Sequence, residues 1–234
     1  MALPRARRFN LLVTLLAADG KRVEYQRLVD EAWPEHPPAD SRNALQAQIS
    51  RLRRDLRSWG FLPQDVSLAS CSPGYVLAVD QGIVDFLAFE HQATEVIRSA
   101  GAGGDQRSVM RRAARALSLW RGTPMAGWEL GMETRILRSQ WEELRLSVER
   151  KRLECALSIG DFDFAVPELL ELCERNPLNE TFHRQLSVAL FRSGRQAHGL
   201  HVHREFGARL MRELGVRPSH EFRSALTDLL RESA

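Results

Sequence analysis

The stretch SRNALQAQISRLRRDL, residues 41–56, carries two chemistries on one helix period. Leu45, Ile49, Leu52 and Leu56 are spaced 4, 3 and 4 apart, which places them on one helical face, the buried one. Asn43, Ala47, Ser50 and Arg54 lie opposite, flanked by Gln46, Arg51 and Arg57. Small side chains let a helix approach base edges, Gln pairs with adenine, and Arg pairs with guanine or phosphate. Arg42 and Arg53 fall nearer the rim, where backbone phosphates would lie. A solvated face usually mixes signs, yet Arg42, Arg51, Arg53 and Arg54 face a single acid, Asp55. A surface helix with solvated arginines fits the same pattern. The hairpin signal immediately C-terminal to the helix, within residues 66–80, favours DNA.

Other reactive types are poorer candidates. His198, His201 and His203 cluster in HGLHVH, with His183 nearby, but further ligands at fixed geometry are not evident, so a polar helix face is expected and no metal. Cys155 and Cys173 lie on apolar faces as core thiols, while Cys71 falls in a hairpin where it would be exposed. Trp120, Trp128 and Trp141 read as interhelix packing, with a partner groove as the alternative. No GxSxG, P-loop or HExxH stretch occurs, and GAGGD (101–105) lacks the strand that a phosphate cradle requires. Neither catalytic residues nor a cofactor are therefore expected.

The elements that position the arginine-rich helix can be read from proline, glycine and periodicity. Residues 5–18 have helical apolar spacing and stop at Asp19-Gly20. Residues 23–33 predict a second helix with Val23, Leu28, Val29 and Trp33 inward. PEHPP at 34–38 forces an extended connection, and Asp40 or Ser41 caps a third helix running to about Ser58. Two alternating runs within 66–80 flank Ser72-Pro73-Gly74, a β-hairpin signal. Three helices and a hairpin in that order predict a winged helix-turn-helix over residues 1–80, its third helix held against DNA.

From Val84 to residue 234 the chain reads as helix, with breaks at 101–105, 121–127, 159–161, 175–179, 192–195 and 215–219. Gly160 and Gly194 are 34 positions apart, the period of a tetratricopeptide repeat. The first copy, LSIGDFDFAVPELLELCERNP, carries the expected small-residue turn and closing Asn-Pro, whereas the second is looser and longer. The fold class expected is mainly α, a winged helix followed by an all-α tetratricopeptide-like domain. The boundary at 80–84 leaves almost no linker, so the two blocks are expected to pack together.

Composition bounds the reading. The 234 residues are 44% hydrophobic and 27% charged, an ordinary globular balance. Net charge is only +3 although the sequence pI is about 9.0, so nucleic-acid contact must come from local clustering. Lys occurs only at Lys21 and Lys151, and the remaining cations are Arg, the better forked donor. Three cysteines without CxxC spacing fit a reducing cytoplasm. The apolar run LLVTLLAA (11–18) is too short to span a membrane, and DGKRVEY follows it where a leader's cleavage site would stand, so export is not expected.

Six stretches in order resemble the Streptomyces antibiotic regulatory protein family of transcriptional activators: PPADSRNALQAQISRLRRDL, SPGYVLAVD, VDFLAFE, ALSLWRGTPMAG, EELRLSVERKRLECAL and LFRSGRQA. The resemblance spans essentially the whole chain. It implies a response-regulator-type winged helix followed by a helical, tetratricopeptide-like bacterial transcriptional activation domain. It also implies binding to direct repeats in double-stranded promoter DNA upstream of pathway genes, with recruitment of RNA polymerase holoenzyme. Tandem monomers on direct repeats, and so self-association on DNA, are compatible with it. The family's recognition-helix positions fall on Asn43, Gln46, Ala47, Ser50, Arg51, Arg53 and Arg54. Such a protein would work in the cytoplasm, at the nucleoid.

Two departures stand out. Relatives usually begin with a short β-sheet before the first helix, whereas PRARRFNLL already corresponds to that helix. Either the start is set late or the domain works without that platform. The hairpin would then lack strand partners, and an isolated two-stranded hairpin is marginal in water. Relatives are also often basic where Ser70, Cys71 and Ser72 stand, which weighs against groove contact by the wing. The competing reading is a helical-repeat interaction adaptor with a vestigial DNA module. A third, a regulator that senses a small ligand, finds no site in the sequence.

Overall fold

The computed structural model describes residues 6–62, 64–80, 84–101 and 105–232. The chain forms two compact units: residues up to Gln92 with Ser118–Arg145, and Ala93–Leu117 with Leu146 onward. Positions 102–104 of the expected break at 101–105, and positions 81–83 of the expected boundary at 80–84, lie outside the described residues.

The first unit opens with α1 (Ala6–Ala17), β1 (Val23–Glu24), α2 (Tyr25–Ala32) and α3 (Ser41–Ser58). A hairpin comes next, β2 (Val66–Cys71) and β3 (Gly74–Val79). Leu11 and Leu15 of α1, Leu28 of α2, and Leu45, Ile49 and Leu52 of α3 share one core and are each at most 1% exposed. Leu77 closes that core from the sheet.

Two expectations need correction. Val23 and Glu24 are not helical; they form β1, and α2 begins only at Tyr25, because Glu24 is extended (φ −68°, ψ 151°). Val23 is fully buried as expected, but it is buried as a strand residue opposite Tyr75. The hairpin therefore has a third strand, in the order β1-β3-β2, all antiparallel. The segment between α1 and α2 supplies the strand partner that the hairpin was expected to lack. The pairing requires Gly74: a Cβ there would overlap the Val23 carbonyl. Backbone bonding continues past the strand, with Tyr25 N–H donating to the Pro73 carbonyl at 3.0 Å.

The same unit includes the start of α4 (Asp85–Gly101), the loop after α5 (Gln106–Leu117), and the first half of α6 (Met132–Ser158). α1 meets that loop through a stacked Phe9–Trp128 pair, centroids 4.2 Å apart, and through Asn10 Nδ2 donating to the Glu129 carbonyl at 3.2 Å. Trp141 is buried against Phe86, and Trp120 sits edge-on to Phe89, as interhelix packing predicts.

In the second unit the helices α7 (Phe162–Arg175), α8 (Glu180–Arg192), α9 (Gln196–Leu214) and α10 (His220–Glu232) succeed α6. The turn after α6 and the turn after α8 are copies, 34 residues apart. Asp161 N–H donates to the Ala156 carbonyl at 2.9 Å, and Arg195 N–H to the Leu190 carbonyl at 2.9 Å. Gly160 and Gly194 hold the left-handed conformation that this helix stop needs, with φ of 73° and 83°. Only the first copy is capped by its side chain, Asp161 accepting from Phe164 N–H; Arg195 makes no such bond. Cys155 and Cys173 are buried, and burial pushes the Cys173 thiol up to about 12. Two of the histidines are used in packing, His183 stacked on Phe206 and His203 on Phe222, whereas His198 and His201 are exposed on α9, His201 beside Glu205. Among the described residues no three His, Cys, Asp or Glu side chains are grouped to hold a metal ion.

Candidate nucleic-acid interface

α3 begins where Asp40 ends the proline-rich turn. The Asp40 carboxylate accepts from Asn43 N–H at 3.0 Å, satisfying one of the open donors of the first turn. Its second oxygen accepts from the Asn43 side chain at 2.5 Å. Leu45, Ile49, Leu52 and Leu56 are 0–7% exposed. At roughly 1.5–3 kcal/mol each, gross, they fix the roll of the helix about its axis. That roll decides what faces outward.

Outward lie Arg42, Asn43, Gln46, Ala47, Ser50, Arg51 and Arg54, all exposed, with Arg57 beyond them. From Asn43 to Arg54 this row extends about 16 Å at 1.5 Å per residue, roughly half of the 34 Å turn of a DNA duplex. Among the described residues no hydrogen bond or ion pair engages the side chains of Arg42, Gln46, Ser50, Arg51 or Arg54. The two acids nearby are both occupied: Asp40 caps the helix, and Asp55 pairs with Arg8 of α1 at 2.8 Å. The exposed face is thus cationic locally, although the whole chain carries only +3.

Arg53 differs from its neighbours. It is half-buried, its Nε donating to the Leu68 carbonyl at 2.9 Å and its terminal nitrogen to Ser70 Oγ at 3.1 Å. It clamps the wing onto α3. Asn43 is likewise held, by Asp40. Ser70, Cys71 and Ser72 are exposed at the wing, and its tip between the strands is Ser72-Pro73, without a cation.

Sequence reasoning missed the groups that hold this surface in place. Arg8 neutralises the single acid of the helix from a different element. Glu31 of α2 is 2% exposed and bonds to the start of α6, accepting from Glu133 N–H at 2.9 Å and from Thr134 N–H and Oγ1 at 3.1 and 2.5 Å. Arg27 pairs with Glu133 beside it. An acid inside the apolar pattern of 23–33 was the available signal, but nothing local names its partner.

Comparison with known proteins supplies the rest. Residues 84–230 match the family described as "Bacterial transcriptional activator domain", and residues 4–77 match "Transcriptional regulatory protein, C terminal". The chain is 36% identical over 226 residues to Regulatory protein DnrI of Streptomyces peucetius, a match covering 92% of this chain and 81% of that one. It is 32% identical to Transcriptional regulator RedD of Streptomyces coelicolor, covering 97% and 65%. With Regulatory protein AfsR of Streptomyces griseus it shares 34% identity, but spans only 22% of that longer protein. A solved structure of Mycobacterium tuberculosis EmbR in complex with a low-affinity phosphopeptide matches the fold, with a TM-score of 0.89 at 24% identity over 99% of this chain and 61% of that one. The order of the two matched domains and these relatives agree: the chain belongs to the Streptomyces antibiotic regulatory protein family of DNA-binding transcriptional activators.

Proposed function

We propose that the chain inserts α3 into the major groove of double-stranded promoter DNA at direct repeats, and there recruits RNA polymerase holoenzyme to an antibiotic (secondary-metabolite) gene cluster. In this reading residues 1–80 read DNA and residues 84–234 contact polymerase. Gln46, Ala47, Ser50, Arg51 and Arg54 meet base edges, Arg42 meets phosphate, Asn43 fixes the entry of the helix, and Arg53 holds the wing. The protein acts as a regulator in the cytoplasm, at the nucleoid, and performs no chemistry on its target.

The observation that carries the reading is the exposed face of α3, with forked donors and an amide left unengaged and, among the described residues, no free acid on the helix facing them. Hydrated donors on a helix rolled outward by four buried leucine and isoleucine side chains are what base-edge readout needs. A vestigial module would have no need of such a face.

Footprinting on DNA flanking the gene cluster is the decisive experiment. Protection should appear at two or more repeats on the same helical face, and affinity should fall steeply with salt, because each phosphate contact releases counterions. Equal retardation of operator and random DNA at every salt concentration would leave the adaptor reading instead.

A further inference from the structure

A cleft of about 460 Å³ opens within the first unit. Seven aromatic rings line it, among them Phe9, Trp59, Phe61, Phe89, Trp120 and Trp141. Its charged lining residues are Asp85 and Arg121, whose side chains pair with each other at 2.6 Å and are largely exposed. A charged guest would therefore find no free partner inside. One wall is made by the last turn of α3 and by Val66, Leu77 and Val79 of the wing strands. The site thus touches α3, which faces DNA in the proposed function, and the wing that Arg53 holds to it, but its existence does not depend on that function.

The volume falls in the range of about 300–1,000 Å³ typical of small-molecule sites, which are mostly apolar with few polar groups. Leu12, Leu16, Trp59, Phe61 and Trp120 line the cleft and are only half-buried, and the first four border the core of this unit. Rings in such a wall favour offset or edge contact with another ring. We propose that this cleft is a binding site for a small, flat, uncharged aromatic molecule of roughly two or three fused rings.

The test uses the full chain and 1-aminoanthracene, a neutral three-ring fluorophore. Titration should saturate, with a dissociation constant on the order of 10 µM. The indole N–H resonances of an isotopically labelled sample locate the binding without disturbing the fold. Trp59, Trp120 and Trp141 line the cleft, whereas Trp33 and Trp128 do not. The first three resonances should shift with the titration and that of Trp33 should stay; Trp128, stacked on the lining ring Phe9, does not serve as the reference. Leu16→Trp and Leu119→Trp, which fill the cleft from different walls, should each weaken the probe at least about tenfold while keeping the wild-type circular dichroism. Absence of saturation, or a shift at Trp33 equal to those at the cleft, would overturn the proposal.

Discussion

The Glu31 carboxylate caps the first turn of α6 through Thr134, a residue 103 positions further along the chain. The approach is so close that a Cβ on Gly131 would overlap the carboxylate. A helix N-terminus presents unsatisfied N–H groups and a partial positive charge, so a buried carboxylate is satisfied there by donors alone. α2, which shares a core with α3, is in this way tied to α6.

Removing the carboxylate strands those donors. Glu31→Ala should lower stability by about 3 kcal/mol, because two N–H groups and a hydroxyl lose their acceptor in a buried place. Thr134→Val should cost about 1 kcal/mol. The double variant should lose less than the sum, since both changes break the same bond. Urea denaturation of the four proteins measures this, and strict additivity would count against the cap.

Arg51 and Arg53 should separate in DNA binding. Arg51→Ala should relax the preference at one operator position by about 1–3 kcal/mol. Arg53→Ala should weaken cognate and random DNA alike, because it frees the wing from α3. It should also lower stability by about 1–2 kcal/mol, for the lost charged bonds to Leu68 and Ser70. Binding series over operator variants, paired with melting curves, check both effects.

Gly74→Ala should break the β1–β3 pairing, since the new methyl collides with the Val23 carbonyl. A loss of roughly 2 kcal/mol or more is expected. Faster hydrogen exchange at the Tyr75 amide would report it, while the α7–α9 amides in the other unit stay protected.

Acid should weaken the helical unit. Burial holds His183 and His203 below the ordinary imidazole value of 6.5; at His183 the Asn179 carbonyl bond opposes that effect without cancelling it. A base kept neutral in the fold but titrating normally when unfolded contributes stability that is complete above about pH 6.5 and is lost as pH falls below it. The melting temperature of the second unit should therefore drop between pH 7 and pH 5. His203→Phe, which keeps a ring on Phe222, should flatten that dependence. An unchanged pH slope in this variant would refute the assignment.

Much of the fold is legible in the sequence because it is local. Leu45, Ile49, Leu52 and Leu56 repeat with the helix period, so the face carrying Gln46, Ser50 and Arg54 follows from spacing alone. Asp40 announces the cap and Ser72-Pro73-Gly74 the hairpin. The 34-residue offset of Gly160 and Gly194 marks two turns that share the same left-handed glycine and the same closing backbone bond, Asp161 to Ala156 and Arg195 to Leu190. β1 escapes a sequence reading because Val23, Leu28, Val29 and Trp33 are all buried, and burial alone does not distinguish a strand residue leading into a helix from its first turn. Arg53 groups with the phosphate contacts in the sequence because its position at the rim says nothing about whether Leu68 and Ser70 will arrive beside it.

By itself, then, the sequence determined which segments are helical, which faces are apolar and which helix carries an unbalanced set of arginines, since backbone geometry converts spacing into direction. Only the tertiary structure decided which of those arginines remain unengaged, where Asp55 and Glu31 find their partners, and that a two-residue strand completes the wing. Those outcomes depend on atoms brought together from as far as 103 positions apart, and no short-range period encodes which donor will meet which acceptor once the chain has closed.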